Sequence, residues 1–174
     1  MKKIFILLLG LTLASNNINA TEDSTKFYSF RTLSVDMSLK VAHAALEGCR
    51  KQGYSVAVAV VDRGGNLQVL LRDRFAGPHT PDTARRKAWT ANSFLQNTAD
   101  LAEFLHKGQI PDQVQHNTNA LLTGGGVMIK SGGELLGAVG VAGAPPGKSE
   151  RDSIDAACAQ TGIDSIQEDL DFGE

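Results

Sequence analysis

The 174-residue sequence is short of several things, and each shortage excludes something. Cysteine occurs only twice, too few for a disulfide-stapled scaffold or a cysteine-built zinc site. Aromatic residues make up 6%, so small aliphatic side chains must fill most of any core. There is no excess of one charge: 17 basic against 19 acidic residues give a formal net charge of -2. Without a basic excess the chain lacks the electrostatic footprint of a nucleic-acid binder. The four histidines, His43, His79, His106 and His116, form no H-x-x-x-H or H-E-x-x-H pair, which argues against a protein-built zinc centre. No G-x-S-x-G occurs, and neither cysteine adjoins a histidine, so no nucleophilic triad is evident.

One near miss needs testing. Gly143-Ala144-Pro145-Pro146-Gly147-Lys148-Ser149 falls between an expected strand and an expected helix, as a phosphate loop would. Its glycines are one residue too close for that motif, and Pro145 and Pro146 lack the N–H donors that cradle phosphate. Nucleotide hydrolysis is rejected. Binding of a carboxylate or similar anion by the backbone after Lys148 stays open.

What is present fits one globular domain. Hydrophobic residues reach 42% and charged residues 21%, enough for a sizeable core. Lys2 and Lys3 precede an apolar run, Ile4–Ala14, then a polar stretch ending in the small residue Ala20. That is the layout of a secretory signal peptide over 1–20. The run falls well short of the ~20 residues that span a bilayer, and no later segment is apolar enough to do so. Cleavage after Ala20 would deliver a secreted or periplasmic chain without a membrane span. Residues 21–32 are polar and read as a loose arm.

The remainder reads as helix, hairpin, helices, hairpin, helix. Val35, Leu39, Ala42, Leu46 and Cys49 make a helical stripe over 34–52, with Ser34 as N-cap and Gly53 just past the end. Ser55–Asp62 is a valine-rich strand, Arg63–Asn66 a glycine turn and Leu67–Arg72 the return strand. A second helix spans 81–95, capped by Thr80, with a narrow stripe of Ala84, Ala88, Ala91 and Leu95. A short helix at 98–106 follows, and residues 109–123 carry little pattern. A second hairpin pairs Val127–Lys130 with Leu135–Ala142, and a last helix covers 149–161, with Ile154, Ala157, Cys158 and Thr161 inward. A further helical turn closes the chain at 164–170. Two hairpins predict a mostly antiparallel sheet flanked by helices, an α+β domain.

Candidate binding residues are sparse. His43 borders Leu39 and Leu46 on the first helix, where a ring nitrogen can meet a flat apolar ligand. His79 precedes the basic second helix, and His106 ends a helix, where a cation is favoured anyway. Arg72, Arg74, Arg85, Arg86 and Lys87 cluster in sequence; they read either as a solvated face or as a carboxylate-binding set. Cys49 and Cys158 lie on apolar helix stripes. They read equally as buried thiols or as a bond closing a long loop, worth roughly 4–5 kcal/mol if unstrained.

Four segments taken in order, Val56–Asp73, Ala84–Ala91, Thr123–Ala144 and Asp155–Asp164, resemble the GlcG/HbpS-type haem-binding family, also called the haem-degrading domain family. The resemblance covers about 33–170 and places the domain at 33–174. It implies an α+β fold, a tendency to form homo-oligomers, and haem or a related tetrapyrrole as partner. Haem needs an apolar slot, an iron ligand and cations for its propionates. On this resemblance His43 is the first candidate for the iron and His79 the second, with Arg72, Arg85 and Lys87 as propionate partners. The expected function is an exported haem-binding protein that sequesters or senses haem. Two alternatives are a haem-degrading enzyme and an accessory oligomer that binds a small, glycolate-type organic acid. The absence of a separate catalytic acid or base favours binding over catalysis.

Overall fold

The structure, a computed structural model, describes residues 28–172. The signal-peptide reading over 1–20 and the first part of the arm lie outside the described residues.

Helix α1, Val35–Lys51, starts where Ser34 accepts from the Met37 N–H, and its C-terminal end passes into Gly53 at φ +84°. Strands β1 (Ala57–Asp62) and β2 (Leu67–Arg72) form the first hairpin, and β3 (Gly126–Ser131) and β4 (Glu134–Ala142) the second. Gly132 and Gly133 in the second turn both hold positive φ, the conformation a tight hairpin turn demands. The hairpins join through β1 and β4 into one antiparallel sheet of order β2-β1-β4-β3. The α+β architecture expected from the sequence is present.

Alternation along β1 sorts the sheet into two faces. Val56, Val58 and Val60 pack with α1 and with α4 (Ile154–Asp164), while Ala57 and Ala59 meet Ala84 of α2 (Thr80–Ser93). Val61 meets Ala88 and Ala91 on the same side as α2. The alanine face lets α2 lie close: a Cβ on Gly140 of β4 would fall 2.1 Å from the Ala84 carbonyl oxygen. On the other side Gly162 of α4 brings α1 near, since a Cβ there would meet Val41 O at 2.7 Å. Helices α3 (Thr98–His106) and α5 (Gln167–Phe172) complete the shell, and 112–116 make a 3₁₀ turn. Arg31, Thr32 and Leu33 are tied to β4 through Glu134 and Leu136.

Four local readings are corrected. The cap of α2 is His79, not Thr80, whose hydroxyl instead donates back to Gly77 O. The last main helix starts at Ile154, not Ser149, because Ser153 takes the cap by accepting from Ala156 N, and 149–152 close a turn of their own. Along α4, Ala157 and Thr161 face outward, and Asp155, Cys158, Ala159, Gly162 and Ile163 are buried. On α1, Val35 and Leu39 face outward, 57% and 47% exposed, while Val41 and Ala45 take the core.

Candidate functional site

The outward turn of α1 makes the first surface of interest. Val35, Leu39 and His43 recur every four residues and so share one helix face. Asp36, Leu39, Lys40, His43 and Ala44 line an open depression of about 470 Å³. The His43 side chain is exposed and forms no hydrogen bond among the described residues. Lys40 at the rim pairs with Asp169 at 3.0 Å, both half exposed, a contact worth little in water. The depression therefore offers an apolar wall, a free imidazole and one exchangeable cation. Such groups would suit one face of a porphyrin, with the imidazole as a nitrogen donor to its iron.

The other predicted site residues lie elsewhere. His79 is exposed at the start of α2, its ring against Gly77. Arg85 donates to Asp82 at 2.8 Å and to Asn119 at 3.3 Å. The Arg72 guanidinium donates to the Ala76 carbonyl. Lys87 is buried, donating to Asp155 Oδ2 at 2.8 Å and to Val141 O at 3.1 Å. His79, Arg85 and Lys87 belong to the α2 side of the sheet and His43 to the α1 side, so one chain does not gather them around a single ligand. Sequence reading missed Lys40 and the outward role of Leu39. The four-residue spacing of Val35 and Leu39 from His43 was the available signal, but Val35 and Leu39 were read with Ala42, Leu46 and Cys49 as a core stripe.

A second concavity sits where β4 ends. A cleft of about 530 Å³ is lined by Lys87, His106, Thr123, Gly124, the 144–150 loop, Ser153 and Asp155. The loop is braced on both sides. Glu150 Oε2 accepts from the Thr123 hydroxyl and the Gly124 N–H, and Arg151 bridges to Asp100 and Glu103 of α3. Glu103 is held below the usual carboxylate range, chiefly by the Lys107 hydrogen bond, with Arg151 adding to it. Lys87 and Asp155 meet at this cleft although no local pattern links them, since they lie 68 residues apart.

Cys49 and Cys158 are joined as a disulfide between α1 and α4, with Cα atoms 5.5 Å apart. Among the described residues no cluster of three His, Cys, Asp or Glu could hold a metal ion. No helix there is long and apolar enough to cross a membrane.

Comparison with known proteins places this architecture. A family model described as haem degrading protein HbpS-like matches residues 33–164. The chain belongs to the HbpS-like family. GlcG of Escherichia coli K12 is 34% identical over 111 residues, covering 63% of this chain and 80% of GlcG. Among solved structures, a double mutant of HbpS from Streptomyces reticuli superposes with a TM-score of 0.73 at 31% identity, covering 91% of this chain and 99% of that one. A PduOC–haem complex superposes with a TM-score of 0.67 at 27% identity, covering 78% and 95%. Relatives of this HbpS-like chain thus include a protein crystallised with haem.

Proposed function

We propose that this chain is an exported haem-binding protein whose His43 ligates the iron on the outer face of α1. The observation that carries the reading is the exposed imidazole beside the carbon wall of Leu39 and Ala44. The PduOC–haem relative supports haem as ligand. The signal-peptide pattern at 1–20 supports export, and a buried disulfide suits an oxidising compartment.

The depression supplies one wall, and haem has two faces. Exposed Val35 and Leu39 give a second copy something to cover, so homo-oligomer formation would enclose the macrocycle and bring another chain's cations to its edge. In this reading Lys40, rather than the buried Lys87, would be the cation of this chain that holds a propionate. Arg72 and Arg85, already held by acceptors of their own chain, and His79 on the opposite side of the sheet, take part only across such an assembly.

Haemin titration of the purified protein tests the reading. A saturable Soret band is expected, shifted or lost in His43→Ala and retained in His79→Ala. A band equal to that of haemin in buffer overturns haem binding. An unchanged band in His43→Ala overturns the ligand assignment. Loss of bound haem with reductant and oxygen, beyond the rate for free haemin, would instead favour degradation.

A further inference from the structure

The cleft at the end of β4 is built, and the haem reading does not use it. Several of its polar groups already have partners, and His106 also lines it. Asp155 is engaged at both oxygens: Oδ1 accepts from Ala144 N at 3.0 Å and Oδ2 from Lys87. Glu150 Oε2 is served by Thr123 and Gly124. The cap of α4 is occupied by Ser153, so the helix end is not the binding group.

What remains is mostly donor capacity. Lys87 is 4% exposed, yet its ammonium has three protons and only two acceptors among the described residues. It lines the cleft wall. Lys148, exposed at the rim, has no acceptor among the described residues. Ala144, Pro145 and Pro146 add apolar surface to the same wall, and the prolines stiffen it.

We propose that this cleft binds a small organic monocarboxylate, its carboxylate on Lys87 and Lys148 and its carbon tail on Ala144, Pro145 and Pro146. A volume of about 530 Å³ is in the range of small-molecule sites. Glu150 keeps Oε1 without a donor among the described residues, so a second negative charge on the ligand would meet repulsion. That selects one carboxylate over two.

Titrating butyrate into the ¹⁵N-labelled protein, followed by amide NMR, tests this. Saturable shifts are expected at Gly124, Ala144 and Gly147–Ser149, with none on α1. Lys148→Ala should weaken binding about threefold or more, in line with an exposed ion pair. Ser149→Glu, also on the exposed loop, should abolish it, while both variants keep the fold visible in the same spectra. Succinate and inorganic phosphate at matched ionic strength should bind more weakly than butyrate. Absence of saturable shifts, equal binding to Ser149→Glu, or succinate or phosphate binding as tightly as butyrate overturns the proposal. The haem reading is independent: His43→Ala should leave butyrate binding unchanged, and Lys148→Ala should leave the Soret band unchanged.

Discussion

Lys87 on α2 and Asp155 on α4 form an ion pair across the end of the sheet, Nζ to Oδ2 at 2.8 Å, with both side chains at least nine-tenths buried. The two helices belong to opposite layers, so the pair ties one layer to the other where β4 runs out. Gly125 makes room for it. A Cβ there would fall 2.9 Å from both Lys87 Nζ and Asp155 Cβ, and its φ of +124° lies in the region that glycine favours.

Breaking the pair should be costly and replacing it should not. Lys87→Met leaves a buried carboxylate without its cation, and the expected loss is about 3–5 kcal/mol. Lys87→Met with Asp155→Leu removes both charges and should recover much of that. Urea unfolding of the two singles and the double closes the cycle. A double variant as unstable as the sum of the singles would show that the two charges do not act as a pair.

A second pair sets an acid limit. Arg50 Nε donates to Asp73 Oδ2 at 2.7 Å, and Arg74 N donates to Oδ1. Arg50 holds the Asp73 carboxyl below the usual range, with the Arg74 N–H reinforcing it against partial desolvation. A depressed carboxyl binds fewer protons folded than unfolded, so its contribution is present above the unfolded value of about 3.9 and fades as pH falls through the folded one. The stability gap between wild type and Asp73→Asn should therefore be largest near pH 6 and shrink below about pH 4. Urea midpoints across that range check it; a gap that widens on acidification would reverse the sign.

The parts of this fold legible in the sequence are those written locally. Ser34 and Gly53 bracket α1, glycine pairs mark both hairpins, and the valine-rich run reads as a strand because β1 is buried on both faces. What local pattern could not supply was partner choice. Leu39 scores as a core residue by spacing, but α4 packs against the neighbouring face of α1 at Val41 and Ala45, and Leu39 is left outside. Lys87 read as one of a basic cluster, whereas its partner lies 68 residues away. The family resemblance supplied the haem expectation, but its residues could not show that His43 and Lys87 lie on opposite sides of the sheet.

The Cys49–Cys158 bond joins α1 to α4 across 109 residues. Closing a loop of that size restricts the unfolded chain, and its removal should cost about 2–5 kcal/mol. The Cys49→Ala/Cys158→Ala variant should unfold at lower urea than wild type, and wild type with reductant should approach it. Alkylation followed by mass measurement under denaturing, non-reducing conditions should add nothing to wild type. Uptake of two alkyl groups would mean that the purified chain carries thiols instead.

Helix α2 lies against β4 at Gly140, and this explains the alanine stripe of α2. A Cβ at this position would sit 2.1 Å from Ala84 O and 2.6 Å from Ala88 N, both backbone atoms that cannot swing away. The helix would have to lift from β4, opening the contacts of Ala84 and Ala88 with β1. Overpacking of this kind costs about 1–3 kcal/mol or more. Gly132→Ala is the matched control: its Cβ would meet nothing within 4 Å and only its φ of +56° is unfavourable, a cost nearer 1 kcal/mol. Denaturant unfolding should place Gly140→Ala well below Gly132→Ala. Equal midpoints would mean that α2 can shift freely on the sheet, and that its small side chains do not set the layer spacing.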